Sequence, residues 1–365
     1  MKKIILALGG LALGAGSAAA GDIERSQQSV GILFEKGRYA ELSFGFVNPD
    51  VTGVIKGSPF ESQGMAGNFN IASFSYKQAI GPNMDVALIL DQPIGADVDY
   101  PADAFYPLAG TTAKLRSKAV TGLVRYKFEN NVSVYGGLRA ETVEGQANIL
   151  VPGAAYLLKA DGDWNLGYVV GVAWEKPEIA ARVALTYNSA IDHEMSNSES
   201  INGFTPPDNP TSFETTVPQS ISLEAQTGIA KDTLLFGSIR WVDWTEFVIA
   251  PPLYESLAAF GNEPIVYYDS DRITYTLGLG RKFNDNWSGA VTVSYEPSNG
   301  DPTGNLGPND GYRSIGLGAT YTEGPMKITG GIRYVELGNA TTRRVGARFE
   351  DNDAIAVGVR IGYSF

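Results

Sequence analysis

The sequence predicts an all-β fold: a transmembrane antiparallel up-and-down β-barrel of about fourteen strands. Three observations carry that prediction. The first is the final stretch, Asp353 to Phe365, which alternates without an error. Ile355, Val357, Val359, Ile361, Tyr363 and Phe365 oppose Ala354, Ala356, Gly358, Arg360, Gly362 and Ser364. Period 2 sends successive side chains to opposite faces of a strand. A large apolar face ending in an aromatic pair, against a small and polar face, suits a strand with lipid on one side and a lumen on the other. The second observation is that such segments recur along the whole chain. The third is that the connections between them alternate strictly between short and long. Greek-key sandwiches mix their connection lengths, whereas up-and-down barrels put tight turns at one end and long loops at the other.

Taken in order, the elements begin with a leader. Lys2 and Lys3 precede an apolar run from Ile4 to about Leu13, and Ala18-Ala19-Ala20 offers a small-residue cleavage site. Residues 1–20 therefore have the pattern of a secretory signal peptide, cut before Gly21. Residues 21–38, GDIERSQQSVGILFEKGR, precede the first strand and carry the apolar trio Ile32, Leu33 and Phe34. That trio favours a small plug tucked into the lumen over a disordered terminus. The barrel then occupies 39–365, with strands expected at 39–48, 69–80, 84–98, 116–128, 132–147, 163–175, 178–191, 213–229, 233–248, 268–283, 286–297, 310–322, 325–337 and 353–365.

Between them lie six short links, such as Gly81-Pro82-Asn83 and Glu323-Gly324, and seven long ones at about 49–68, 99–115, 148–162, 192–212, 249–267, 298–309 and 338–352. Trp164 and Trp174 give a length test. They share a face ten residues apart, roughly 33 Å along a strand, and a tilt of about 40° turns this into about 25 Å of height. That height matches the apolar band between two aromatic girdles. The third segment is interrupted by Asp91-Gln92-Pro93-Ile94-Gly95. Pro removes a ladder donor and Gly marks a bulge or close approach. Either the strand ends near Leu90, or Pro93 and Gly95 mark a lateral gate in the wall.

Composition narrows the function. The formal charge is −12, and −14 once the two leader lysines are discounted, with a single histidine and no cysteine. An acidic balance argues against nucleic acid as a partner, and the lack of cysteine rules out disulfides and thiol chemistry. His193, in IDHEMSNSES at the start of a long connection, has no flanking pattern of a nucleophile and base. No phosphate loop or His/Cys cluster is visible, and the spacing of Asp208, Asp301 and Asp310 specifies no cation site. The expectation is a chain without catalysis, cofactor or metal, working by binding and passage.

The inward face predicted from alternation includes Arg139, Arg182, Arg240, Arg333 and Arg360. A guanidinium there either pairs a ligand headgroup bidentately or stiffens the wall with Glu and Asp. Two long connections carry unexpected apolar clusters. One holds Ile149, Leu150, Tyr156 and Leu157; the other holds Leu253, Leu257 and Phe260 at i, i+4, i+7, the spacing of a short amphipathic helix. They suit a capture groove for an apolar ligand, a lid of loops packed on one another, or both.

Several stretches bring a known family into view. They are YAELSFGFVNPDV, ENNVSVYGGLRAETVEGQANI, GDWNLGYVVGVAWE followed by ARVALTYNSAI, GSIRWVDWTEF, FNDNWSGAVTVSYEPS and the closing VGVRIGYSF. With this patterning over nearly the whole mature chain, the sequence resembles the FadL/TodX family of outer-membrane transporters for long-chain fatty acids and other hydrophobic compounds. The resemblance implies a fourteen-stranded barrel occluded by an N-terminal hatch. It also implies ligand capture at extracellular loops, a lumen site, and lateral release at a kinked third strand. Two departures stand out. The family's hatch is usually longer and carries an Asn-Pro-Ala motif, whereas 21–38 is short and the nearby Asn48-Pro49 ends the first strand.

The reading is thus a bacterial outer-membrane channel for passive uptake of hydrophobic small molecules, with long-chain fatty acids the leading substrate. Outer-membrane lipid, lipopolysaccharide and the barrel assembly machinery are its expected partners. A general diffusion porin and a structural or adhesive barrel are the alternatives.

Overall fold

A computed structural model of the chain describes residues 23–365; the leader, Gly21 and Asp22 lie outside the described residues. Fourteen antiparallel strands form one closed barrel. We number them β1 (Tyr39–Asp50), β2 (Phe69–Ile80), β3 (Met84–Asp91, resuming at Gly95–Asp99), β4 (Thr112–Lys127) and β5 (Val132–Val151). Then come β6 (Ala154–Gly162, continued by Asn165–Lys176), β7 (Ala181–Asn188, continued by Ile191–Ile201) and β8 (Thr211–Val217, continued by Ser220–Ala230). β9 (Thr233–Val242), β10 (Arg272–Lys282), β11 (Trp287–Glu296), β12 (Tyr312–Glu323), β13 (Met326–Leu337) and β14 (Asp353–Ser364) complete the wall. Each strand pairs with the next, and β14 closes on β1 from Tyr39↔Ser364 to Asp50↔Asp353. The circuit therefore closes as a bilayer demands, with one stretch of β2, Phe69–Ser73, paired on a single side.

The alternation sorts side chains as the sequence predicts. Along β14 Ile355, Val357, Val359, Ile361 and Tyr363 are exposed, while Ala354 and Ala356 are buried. Trp164 and Trp174 both point outward, with Leu166, Tyr168, Val170 and Val172 exposed between them. Aromatic residues mark both edges of this outer band. Phe128, Trp174, Trp287, Tyr363 and Phe365 lie toward the short turns, and Trp164, Tyr275, Tyr295 and Tyr334 toward the other end. The band is therefore a lipid-facing surface with interfacial girdles.

The long connections depart from expectation in one region. Residues 148–162 and most of 192–212 are not loops. β5 runs on to Val151, turns at Pro152-Gly153, and returns as the first half of β6, with Val151↔Ala154 and Glu144↔Asp161 in register. β7 pairs with that half from Met195↔Gly162 to Ile201↔Tyr156, and β8 adds itself from Asn197↔Thr211 to Ile191↔Val217. Strands β5 to β8 thus stand above the lipid band as a sheet continuous with the wall. The upper and lower halves of β6, β7 and β8 meet at aligned interruptions, 163–164, 189–190 and 218–219. Above the band the polarity of alternation inverts. Glu144, Lys159, Asp161 and Glu194 face out, while Ile149, Tyr156, Leu158 and Met195 are buried inside. A pattern sought as apolar-out does not register as strand once its sign reverses. β4 likewise begins at Thr112 rather than 116, and the link between β5 and β6 becomes the shortest on its side.

His193 moves with this correction. Expected at the start of a long connection, it lies instead on the raised half of β7, completely buried, with Nδ1 3.2 Å from Asn165 Nδ2. Burial lowers its imidazole pKa, and the Asp163 backbone and Asp192 oppose the shift.

Residues 23–38 run inside the barrel. Val30, Ile32 and Leu33 are buried against Tyr39, Ile89, Leu123, Tyr135 and Val169 from the inner wall. The turn Gly31–Phe34 is a short 3₁₀ helix. Phe34 meets Tyr135 edge-on at 6.2 Å and lies beneath the guanidinium groups of Arg125 and Arg182. Arg125 donates to the Leu33 carbonyl at 3.1 Å, Lys327 pairs with Glu35 at 3.1 Å, and Lys77 donates to the Gly37 carbonyl at 3.2 Å.

Candidate functional site

Pro93 breaks β3, and the break organises the site. β3 pairs with β2 only from Ile80↔Met84 to Phe74↔Leu90. Beyond that point Phe69–Ser73 of β2 pairs with β1 alone, leaving a gap in the wall. A gap in a barrel leaves backbone donors and acceptors to be satisfied by something else. Across part of it the Gln92 side chain accepts from the Ala72 amide at 3.4 Å. On the inner side the N-terminal segment takes over. The Gly95 amide donates to the Ile23 carbonyl at 2.8 Å, the Arg25 amide donates to the Pro93 carbonyl at 2.7 Å, and Glu24 bridges Ile94. Residues 23–26 therefore act as a few residues of substitute strand. Gly95 eases that approach, because a Cβ there would lie 3.1 Å from Arg25 Nε and 3.2 Å from the Leu115 carbonyl oxygen, close enough to push the segment back by a few tenths of an ångström.

Above the substitute strand lies a cavity of about 450 Å³, within the range of small-molecule sites. Ile23 lines it from the N-terminal segment, and Ala96 and Val98 from the resumed β3. Leu115, Val143, Ala147, Ile149, Leu158, Ala160, Met195 and Phe213 supply the wall from β4 to β8. The connection 243–271 covers it with Phe247, Ile249, Tyr254, Ile265 and Val266. The small side chains at 147 and 160 leave the space that flanking leucines enclose. Few charges reach this surface. Arg343 is paired with Asp269 and lies over the Tyr267 ring, whereas Arg344 donates to the Tyr254 hydroxyl at 3.2 Å. Among the described residues, no carboxylate forms an ion pair with Arg344.

Glu199 fastens the cover. It is buried on β7 and accepts from Tyr156 Oη at 2.7 Å, Thr211 Oγ1 at 3.1 Å, and the Leu253 and Tyr254 amides at 3.2 Å each. Those two amides open a short helix, α1 (Pro252–Ser256), and a 3₁₀ turn follows at Ala258–Phe260. Burial and the neighbouring carboxylate raise the Tyr156 pKa far above its usual value, so the phenol stays protonated and keeps donating. Removing a buried acceptor strands its donors at a cost of about 1–3 kcal/mol each. Glu199→Ala is therefore expected to free 249–262, seen as faster hydrogen exchange there, with exchange in the lipid-facing strands unchanged.

The sequence-selected residues divide as follows. Of the apolar set, Ile149 lines the cavity. Tyr156 and Phe260 are completely buried just behind its lining, with Tyr254 stacked on Phe260 at 4.6 Å and Tyr156 edge-on to both. Leu253 and Leu257 are half-buried against the same cluster. Leu150 is half-buried beside Gly110, and Leu157 points outward, half exposed. The short helix expected around Leu253–Phe260 is present, split into two turns.

None of the five inward arginines lines the cavity. Arg139 donates to Gln28 Oε1 at 2.5 Å, Arg240 pairs with Glu24 at 2.6 Å, and Arg182 covers Phe34. All three thus hold the N-terminal segment. Arg360 donates to Ser43 at 3.2 Å with Glu41 4.0 Å away, and Arg333 lies opposite Gly316 on the inner wall. Ile32, Leu33 and Phe34 are tucked into the lower lumen, and Pro93 and Gly95 flank the wall gap. Phe213, Phe247, Ile265 and Val266 were not singled out from the sequence, although the run Ile265-Val266-Tyr267-Tyr268 was a visible signal.

Comparison of the sequence with curated proteins finds no match. Solved structures do match. A FadL homologue of Pseudomonas aeruginosa is 14% identical, with 92% of each chain covered and a TM-score of 0.74. The toluene transporter TodX of Pseudomonas putida is 12% identical, covering 96% of this chain and 98% of that one at a TM-score of 0.67. The toluene transporter TbuX of Ralstonia pickettii is 12% identical, with 91% and 90% covered and a TM-score of 0.62. At these identities the likeness establishes the fold. Residues 38–325 match the profile of the family described as outer membrane protein transport protein (OMPP1/FadL/TodX). A fourteen-stranded barrel with a lipid-facing band and a match over most of its length place this chain in the outer membrane, as a member of the OMPP1/FadL/TodX family of transport proteins.

Proposed function

We propose that the protein admits hydrophobic small molecules by passive diffusion, with long-chain fatty acids as the leading substrate. The apolar cavity carries the reading, because its floor, Ile23, belongs to the same four residues that complete the broken third strand. Ligand enters between the raised sheet and the cover, sheds water against apolar side chains, and settles above Ile23. It leaves sideways through the gap between Phe69–Ser73 and Pro93–Gly95 when residues 23–26 withdraw. Residues 23–38 serve as the plug that keeps water and ions from following. Burial of a chain's methylenes supplies affinity at about 0.8 kcal/mol per CH₂. Arg344, with no carboxylate partner among the described residues, suits a carboxylate headgroup at the mouth, while the lumen arginines hold the plug.

The mostly apolar lining also fits a neutral aromatic compound, and two of the similar structures are toluene transporters. Lipopolysaccharide around the outer band, and assembly machinery reading the terminal Phe365, complete the partners of this reading. The strand break gives the test. Pro93→Val with Gly95→Thr restores a regular strand, and uptake of labelled fatty acid by cells is expected to fall at least about tenfold while binding to purified protein persists. Undiminished uptake would remove the lateral path.

A further inference from the structure

The gap in the third strand holds an unbalanced charge cluster. Arg25, from the segment inside the barrel, sends its guanidinium to Asp97 Oδ2 at 3.3 Å, and Arg116 on β4 takes Asp97 Oδ1 at 2.5 Å. Two guanidinium groups thus share one carboxylate. Among the described residues no second carboxylate forms an ion pair with either arginine. Arg25 also donates from Nε to the Gly95 carbonyl at 2.8 Å and packs its guanidinium on the Phe69 ring, 3.1 Å from the centroid. Phe69 borders the gap on one side and Gly95 on the other. The Arg25 and Asp97 side chains are about nine-tenths buried, while that of Arg116 is 41% exposed.

A surplus positive charge held out of water attracts an anion more strongly than one on an open surface. Carboxylate is the anion whose geometry a guanidinium meets bidentately. We infer that Arg25 and Arg116, sharing Asp97, form a carboxylate subsite in the wall opening, so that the exit selects amphiphilic acids over neutral molecules of the same length. This rests on the lateral path proposed above and adds a substrate class to it. An acid leaving the cavity replaces Asp97 on Arg25. That exchange costs Arg25 its ion pair with β3, leaving its bonds to the Gly95 and Pro93 carbonyls, so residues 23–26 lose one of their ties to the wall. A neutral ligand has no charge with which to make the exchange.

The test compares dodecanoate with dodecanol, equal in chain length and different in charge. Their affinities for purified protein in detergent are measured for wild type, Arg25→Gln, Arg25→Lys and Arg116→Gln, with the folded, heat-modifiable gel mobility of each variant checked. Wild type is expected to favour the acid at least about tenfold, the size of a charge-assisted contact. Arg25→Gln should lower the acid-to-alcohol ratio severalfold, Arg25→Lys should restore part of it, and Arg116→Gln, at an exposed position, should lower it less. An unchanged ratio in both glutamine variants, or no acid preference in wild type, overturns the subsite. Uptake by cells is the second readout. An acid preference lost with Arg25 but with no protein-dependent uptake would sustain the subsite and remove the transport reading.

Discussion

Ala147→Trp combined with Ala160→Trp is expected to lower ligand affinity by at least about a hundredfold while leaving the barrel folded. Both positions face the cavity from neighbouring strands β5 and β6. Two indoles would fill much of a space of about 450 Å³. In a close-packed core each such insertion costs about 1–3 kcal/mol, because neighbours are forced off their rotamers. In a true cavity the rings go into empty space, and the cost falls on the ligand instead. Displacement of a fluorescent fatty acid measures the affinity, and denaturant unfolding measures the stability. Lost binding with near-native stability supports the cavity as the ligand site. Strong destabilisation with intact binding would place the ligand elsewhere.

Deleting residues 21–37 is the second change with a large expected effect. Val30, Ile32, Leu33 and Phe34 fill the lower lumen, and Arg139, Arg182 and Arg240 all reach across to the same segment. Without it those guanidinium groups line an open, hydrated passage. Single-channel conductance in planar bilayers should rise by about tenfold or more, with a salt-sensitive anion preference from the uncovered arginines. Steady ion conduction by the full chain would instead favour a general diffusion porin. Glu24→Ala offers a milder version. It leaves Arg240 without the carboxylate 2.6 Å away, a change that costs about 3–5 kcal/mol for a buried pair.

Alternation carried the barrel, because lipid and lumen impose opposite demands on adjacent residues and the period of 2 survives in the letters. Strand number, the closing pair β1–β14, the break at Pro93 and the outward pair Trp164 and Trp174 were all legible for that reason. The raised halves of β5 to β8 were not. Above the membrane the outer face turns polar and the inner face apolar, so Ile149, Tyr156 and Leu158 look like a loop with stray hydrophobics. The arginines were legible as inward-facing, since position on a strand fixes the face. Their partners were not, because Glu24, Gln28 and Phe34 lie more than a hundred residues away in sequence. Residues 23–26 were the hardest to place. IERS has no strand pattern, and what makes it one is the set of donors and acceptors that Pro93 leaves unpaired.

The central claim is that ligand passes from the cavity through the third-strand gap when residues 23–26 move. Glu24 and Ile94 are bridge partners on the β3 side of that gap, close enough for a disulfide, and the chain has no cysteine to compete. Uptake of labelled fatty acid is measured in cells making Glu24→Cys/Ile94→Cys, oxidised and then reduced, beside wild type and cells lacking the protein. The account predicts wild-type uptake well above background, a fall to background in the oxidised pair and recovery on reduction. Wild-type uptake no better than that of cells lacking the protein, or an oxidised pair that transports as fast as the reduced one, would contradict it.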